Sequence, residues 1–156
     1  MTVGKRLAAG SAIATSVGGV TTAIASLMSW SSFDSTLFSL YSVSGIALGY
    51  GVPTLLAGIG LTAIGLYGLH GSLRPRLPGL AITLAVVAVV VPVIARIELD
   101  LRGSEGPFHN HPAGLALGIY ITELGGLVAL LGSIGLHASH PRREEGRTAS
   151  SADERQ

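Results

Sequence analysis

The chain has 156 residues, 48% of them hydrophobic and only 12% charged; soluble domains carry about 25% charged residues, so an ordinary water-soluble globule is excluded and a chain mostly in lipid is indicated. A formal net charge of +1 makes no general case for nucleic acid, and the absence of cysteine excludes disulfides, thiolate metal sites and dithiol redox chemistry. Glycine, at 22 of 156 residues, is about twice its usual share, as expected where membrane helices approach through small residues.

Lys5 and Arg6 precede a charge-free run from Leu7 to Phe33, which predicts a first span over about 7–29. A cleaved signal peptide is the competing reading, with Lys5-Arg6 as its basic region and Ala23-Ile24-Ala25 before Ser26 as its cleavage site. Against cleavage, Ser11, Thr15, Gly18, Thr22 and Ala25 share one helical face. That small, weakly polar face suits helix contact, which a discarded segment does not need. Trp30, Phe33, Phe38 and Tyr41 then surround Asp34, and an aromatic belt anchored among lipid headgroups is expected there.

A second span is predicted over 46–69, with Pro53 near its start as a candidate kink. Gly51, Gly58 and Gly65 recur at heptad spacing along it, a line that lets a neighbouring helix approach tightly. After a turn holding Arg74 and Arg76 comes the cleanest span, Leu77 to Ala95, with no charge and Thr83 as its single hydroxyl. It is assigned to 77–97. The helix is expected to continue through RIELDLR to about Leu101, with Arg96–Asp100 and Glu98–Arg102 as i,i+4 pairs and Gly103 at its end. A polar loop, SEGPFHNHP, leads to a fourth span over 114–136, where Gly118, Gly125 and Gly132 repeat the heptad spacing. Residues 141–156 are polar and charged and read as a disordered tail.

The basic residues divide unequally between the two sides. Lys5, Arg6, Arg74, Arg76, Arg142, Arg143, Arg147 and Arg155 fall on one, and only Arg96 and Arg102 on the other. Both termini are therefore expected on the cytoplasmic side of the cell membrane. The halves also resemble each other. GIALG at 45–49 is close to GLALG at 114–118 at a shift of 69, whereas a shift of 67 carries Gly51, Gly58 and Gly65 onto Gly118, Gly125 and Gly132, so the match needs one two-residue gap. The fold expected is an all-α, multi-pass transmembrane four-helix bundle, with a tandem duplicated hairpin as one way of building it.

Glu123 is the residue that chemistry singles out. As the tenth residue of the 114–136 span it would lie roughly 14 Å from the edge, near the bilayer centre. An acid there is expensive and treated as functional by default. It reads either as a proton or cation relay or as a neutral carboxyl bonded to Ser or Thr of the first span. It also points on the order of 160° away from the Gly118/Gly125/Gly132 line. Two opposite faces of the fourth helix would then meet protein, which favours another membrane protein or a second copy as partner. His109 and His111 form H-x-H in the outer loop near Glu98, Asp100 and Glu105, a set suited to Zn or Cu(II), against the plainer reading of solvated loop histidines. His70 and His137 end the second and fourth spans and read as helix C-terminal cations rather than haem ligands.

No P-loop, nucleophile elbow or zincin helix occurs in the sequence. The expectation is a non-enzymatic accessory or scaffold subunit of a membrane complex, without a cofactor. The alternatives are a small proton- or cation-coupled transporter or channel centred on Glu123, and outward metal handling through His109 and His111.

Overall fold

A computed structural model of the chain describes residues 3–35, 38–70, 74, 76–105 and 114–139. In chain order these form α1 (Val3–Leu27), β1 (Ser29–Ser35), β2 (Phe38–Ser44), α2 (Gly51–Leu69), α3 (Leu77–Glu105), β3 (Gly114–Leu115) and α4 (Leu117–Ser139). All four helices are long and apolar enough to cross a membrane, over Arg6–Leu27, Gly51–Leu69, Leu77–Leu101 and Leu117–Ser139. They pack as a ring in which α1 touches α2 and α4, and α3 touches the same two from the other side. This is the four-helix membrane bundle that the hydropathy pattern predicts. The tail at 141–156 lies outside the described residues.

The tightest packing is on α1. A Cβ added to Gly18 would lie 2.6 Å from Gly125 O and 2.8 Å from Ala129 Cα on α4. One added to the next residue, Gly19, would lie 2.6 Å from Thr62 N and 2.7 Å from Gly58 O on α2. Real Cβ atoms do not approach so closely, so these helices meet backbone to backbone. Consecutive helical residues point about 100° apart, so α1 seats one neighbour on each of two adjacent faces. The face expected from Ser11, Thr15, Gly18 and Thr22 is the one against α4. A second face, Ala12, Ser16, Gly19 and Ala23, lies against α2.

The glycine lines of α2 and α4 also differ from expectation. Gly58, Gly65, Gly125 and Gly132 all pack on α1. A two-fold duplication of hairpins would send the second pair to α3 instead. The correspondence between the two glycine lines thus describes two helices sharing one partner, and symmetric contacts lend the duplicated hairpin no support. Gly51 and Gly118 belong to neither seam. They stand at the starts of their helices, against Gly45 and against Ser29 and Trp30 respectively.

The third helix approaches through alanine. Ala81, Ala85, Ala88 and Ala95 are fully buried, with Pro92 in the same row. Pro92 has no N–H to offer the carbonyl four residues back, which is that of Ala88, and α4 packs against this point through Gly126. A Cβ on Gly126 would sit 3.0 Å from Ala88 O. Ala57, Leu61, Ile64, Ala81, Ala85, Ala88 and Ala129 fill the centre of the ring.

Hydroxyls inside the spans bond back along their own helices, since lipid offers no other acceptor. Thr15 donates to Ser11 O at 2.9 Å, Thr62 to Gly58 O at 2.8 Å, Thr122 to Gly118 O at 2.7 Å and Ser133 to Ala129 O at 2.7 Å. Ser16 Oγ and Thr22 Oγ1 are buried without such a partner; they lie against Gly65 and Gly125, a setting for weak Cα–H···O contacts.

The first loop, where an aromatic belt is expected, forms two strands of a small sheet of strand order β2-β1-β3 that caps one end of the bundle. β1 pairs antiparallel with β2 and, through Ser31–Leu115 and Ser32–Gly114, with β3 from the second loop on the same side. These strands explain two shifted boundaries. β3 takes Gly114 and Leu115, so α4 starts at Leu117 rather than 114. Residues 45–51 form a tight turn, closed by Gly51 N donating to Gly45 O at 2.7 Å and by Gly49 at φ +84°, so α2 starts at Gly51 rather than 46. Pro53 falls in the first turn of α2, where its missing N–H leaves no helical bond unmade.

Candidate functional site

The polar groups converge beneath the cap, where α3, α4 and the start of α2 meet. On α4, Tyr120 and Glu123 are one turn apart and face Arg96 of α3. Arg96 Nη1 is 3.9 Å from Glu123 Oε2, and the guanidinium lies 5.4 Å from the centre of the Tyr120 ring. Arg96 is 47% exposed and Glu123 19%, so the arginine lies at the edge of the bundle and the acid behind it. A guanidinium over an aromatic face adds about 0.5–1 kcal/mol at an exposed site.

This arrangement changes the reading of Glu123. With α4 starting at Leu117, the acid is under two turns in, or roughly 9 Å from the helix start, rather than the roughly 14 Å that a start at 114 implies. Its partner is Arg96 on α3, not a hydroxyl of the first span. Arg96 correspondingly turns across to α4 rather than along its own helix to Asp100. Two faces of α4 do meet protein, as the angle between Glu123 and the glycine line implies, but both lie within this chain: α1 takes the glycines and α3 the acid. That geometry therefore requires no second protein. Glu123 Oε1 is buried without a hydrogen-bond partner.

Half a turn further along α3, Glu98 accepts a hydrogen bond from the Tyr50 hydroxyl. Tyr50 is the residue immediately before α2, so this bond ties the cap end of α2 to α3. Arg96 and Glu98 thus fasten α3 to both of its neighbours at one level.

Above them sits Trp30, which sequence reasoning placed among lipid headgroups. It is instead 0% exposed. Its indole Nε1 donates to Ala25 O at 3.0 Å, and its ring packs with Ala95 and Ile119, flanked by Leu48, Tyr50 and Leu115. The ring fits only because two neighbours lack side chains. A Cβ on Gly45 would lie 2.5 Å from Trp30 Cε2, and one on Gly118 3.0 Å from its Cδ1. The signal that could have found this is the pair of similar GIALG and GLALG segments, whose Gly45 and Gly118 flank the indole.

His109 and His111 lie outside the described residues. Among the described residues, no three His, Cys, Asp or Glu side chains come together as a metal site. His70 and His137 sit at or near the ends of α2 and α4, where His70 Nδ1 lies 2.9 Å from Leu66 O. No family model matches this sequence, and no curated protein or solved structure matches it either.

Proposed function

We propose that the chain is a non-catalytic accessory or scaffold subunit of a membrane complex, lying in the cell membrane with both termini on the cytoplasmic side. The observation that carries this reading is the centre of the bundle. Ala57, Leu61, Ile64, Ala81, Ala85, Ala88 and Ala129 pack into a hydrophobic core between the helices, and the seams around α1 leave no room even for a methyl group. A proton or cation needs a chain of polar groups or water to cross, and the buried hydroxyls of Thr15, Thr122 and Ser133 are spent instead on carbonyls of their own helices. A rigid bundle that holds a small sheet at one end is suited to being recognised by a partner. The excess of basic residues on the side away from the sheet favours the orientation.

A second reading rests on one feature. Glu123 Oε1 is buried and unbonded, and an acid with spare acceptor capacity beside an arginine is equipped to carry a proton or cation in a small transporter. Extraction into native-lipid particles followed by mass analysis separates the two. A subunit retains a second membrane protein, or another copy of itself, in fixed proportion. A chain that emerges alone, and whose reconstituted proton or cation flux is abolished by Glu123→Gln, overturns the accessory reading.

A further inference from the structure

At the end of the bundle away from the sheet, the surface between α1 and α4 is notched. The notch holds about 470 Å³ and runs along α1 from Arg6 to Ala14, with Leu131 as its far wall. That length of helix covers about 12 Å, most of the ~15 Å depth of one hydrocarbon leaflet. The notch is therefore a vertical slot in one leaflet, with a cation at its mouth and apolar walls below.

Two features set this slot apart from the close packing elsewhere on α1. A Cβ on Gly10 would meet nothing within 4 Å, so Gly10 is not there to let a helix approach; its missing side chain leaves space open to lipid. Arg6 is exposed, and among the described residues no carboxylate lies within ion-pair distance of it. A slot of acyl-chain depth beneath an exposed guanidinium at the membrane surface matches an amphiphile with an anionic head.

We infer that this slot holds one anionic phospholipid, its phosphate on Arg6 and one acyl chain laid over Gly10 against Leu7 and Leu131. The inference rests on the membrane fold alone and stands or falls separately from the accessory role. One arginine at the surface corresponds to about a fivefold preference for an anionic over a zwitterionic head.

The test is native mass spectrometry of the full chain in detergent, titrated with phosphatidylglycerol or phosphatidylcholine of identical acyl chains. The parent should retain the first about fivefold better than the second. Arg6→Gln should remove the preference while leaving phosphatidylcholine binding unchanged. Gly10→Leu should weaken both lipids, with helical content and unfolding temperature no lower than the parent's, because the added side chain enters open space. Excess inorganic phosphate should displace neither lipid. A preference that survives Arg6→Gln, parental lipid binding by a folded Gly10→Leu chain, or displacement by free phosphate would each overturn the assignment.

Discussion

Gly18 and Gly19 are neighbours in sequence, yet they seat different helices: Gly18 lies on Gly125 and Ala129 of α4, and Gly19 on Gly58 and Thr62 of α2. The partners correspond one to one, Gly58 with Gly125 and Thr62 with Ala129, so α2 and α4 approach α1 in the same register. Cleavage after Ala25 would remove the element on which both depend.

The first prediction concerns that seat. Gly18→Ala and Gly19→Ala should each lower stability by about 1–3 kcal/mol, because the methyl group meets backbone that has no rotamer to yield. Gly10→Ala should do the opposite and gain up to about 1 kcal/mol, since only helix propensity changes there. Thermal unfolding of the three variants in one detergent compares the signs directly; equal responses at positions 10, 18 and 19 would refute the seat.

Trp30 supports the second. Trp30→Ala should cost about 3–5 kcal/mol, as expected for emptying a fully buried aromatic site. Trp30→Phe should cost less, losing some volume and the bond to Ala25 O, the latter worth about 1 kcal/mol. Amide exchange should then rise in β1 and β3 together, because Ala116 N donates to Trp30 O at 3.0 Å and β3 pairs with β1. Exchange that rises in β1 while β3 keeps its protection would contradict a shared cap.

Arg96 and Glu123 can be exchanged. Arg96→Glu and Glu123→Arg should each loosen α3 from α4, and the double exchange should recover part of the loss. A coupling of about 0.5–3 kcal/mol is expected for residues in contact. Strict additivity in the double-mutant cycle would show that the 3.9 Å approach contributes nothing.

Tyr50→Phe removes the hydroxyl that Glu98 accepts and should destabilise by about 1.5–3 kcal/mol, the range for a hydrogen bond to a charged group. Glu98→Gln keeps an acceptor oxygen and should cost less. Crosslinking between the cap end of α2 and α3 is the local readout, and no change in its yield for Tyr50→Phe would count against the tie.

The spans were legible in the sequence because their evidence is local: long uncharged runs bounded by Arg6, Arg76 and Arg96 can be read without knowing any neighbour. The small face of α1 through Ser11, Thr15, Gly18 and Thr22 was legible for the same reason, since period alone reveals it. Which helix meets which face was not. Gly58 and Gly125 look like matching parts of two copies, and only the packing shows that both belong to α1. The alanine row of α3 also carries heptad spacing, but it hides among valines and leucines that are just as apolar. The cap was lost because its strands are rich in serine and pair across two loops, and pairing between distant segments leaves no periodic trace in either one. Glu123 stood out as costly, but its partner belongs to another helix, on the far side of the second loop, so sequence spacing named the anomaly and not its resolution.

Trp30 is the chain's one tryptophan, and it sits where the sheet closes over the helices. The protein therefore carries its own optical reporter at that seal. Indole emission should be blue-shifted and shielded from water-soluble quenchers in the folded protein, and should redden when the sheet is loosened from the helices, with no label attached.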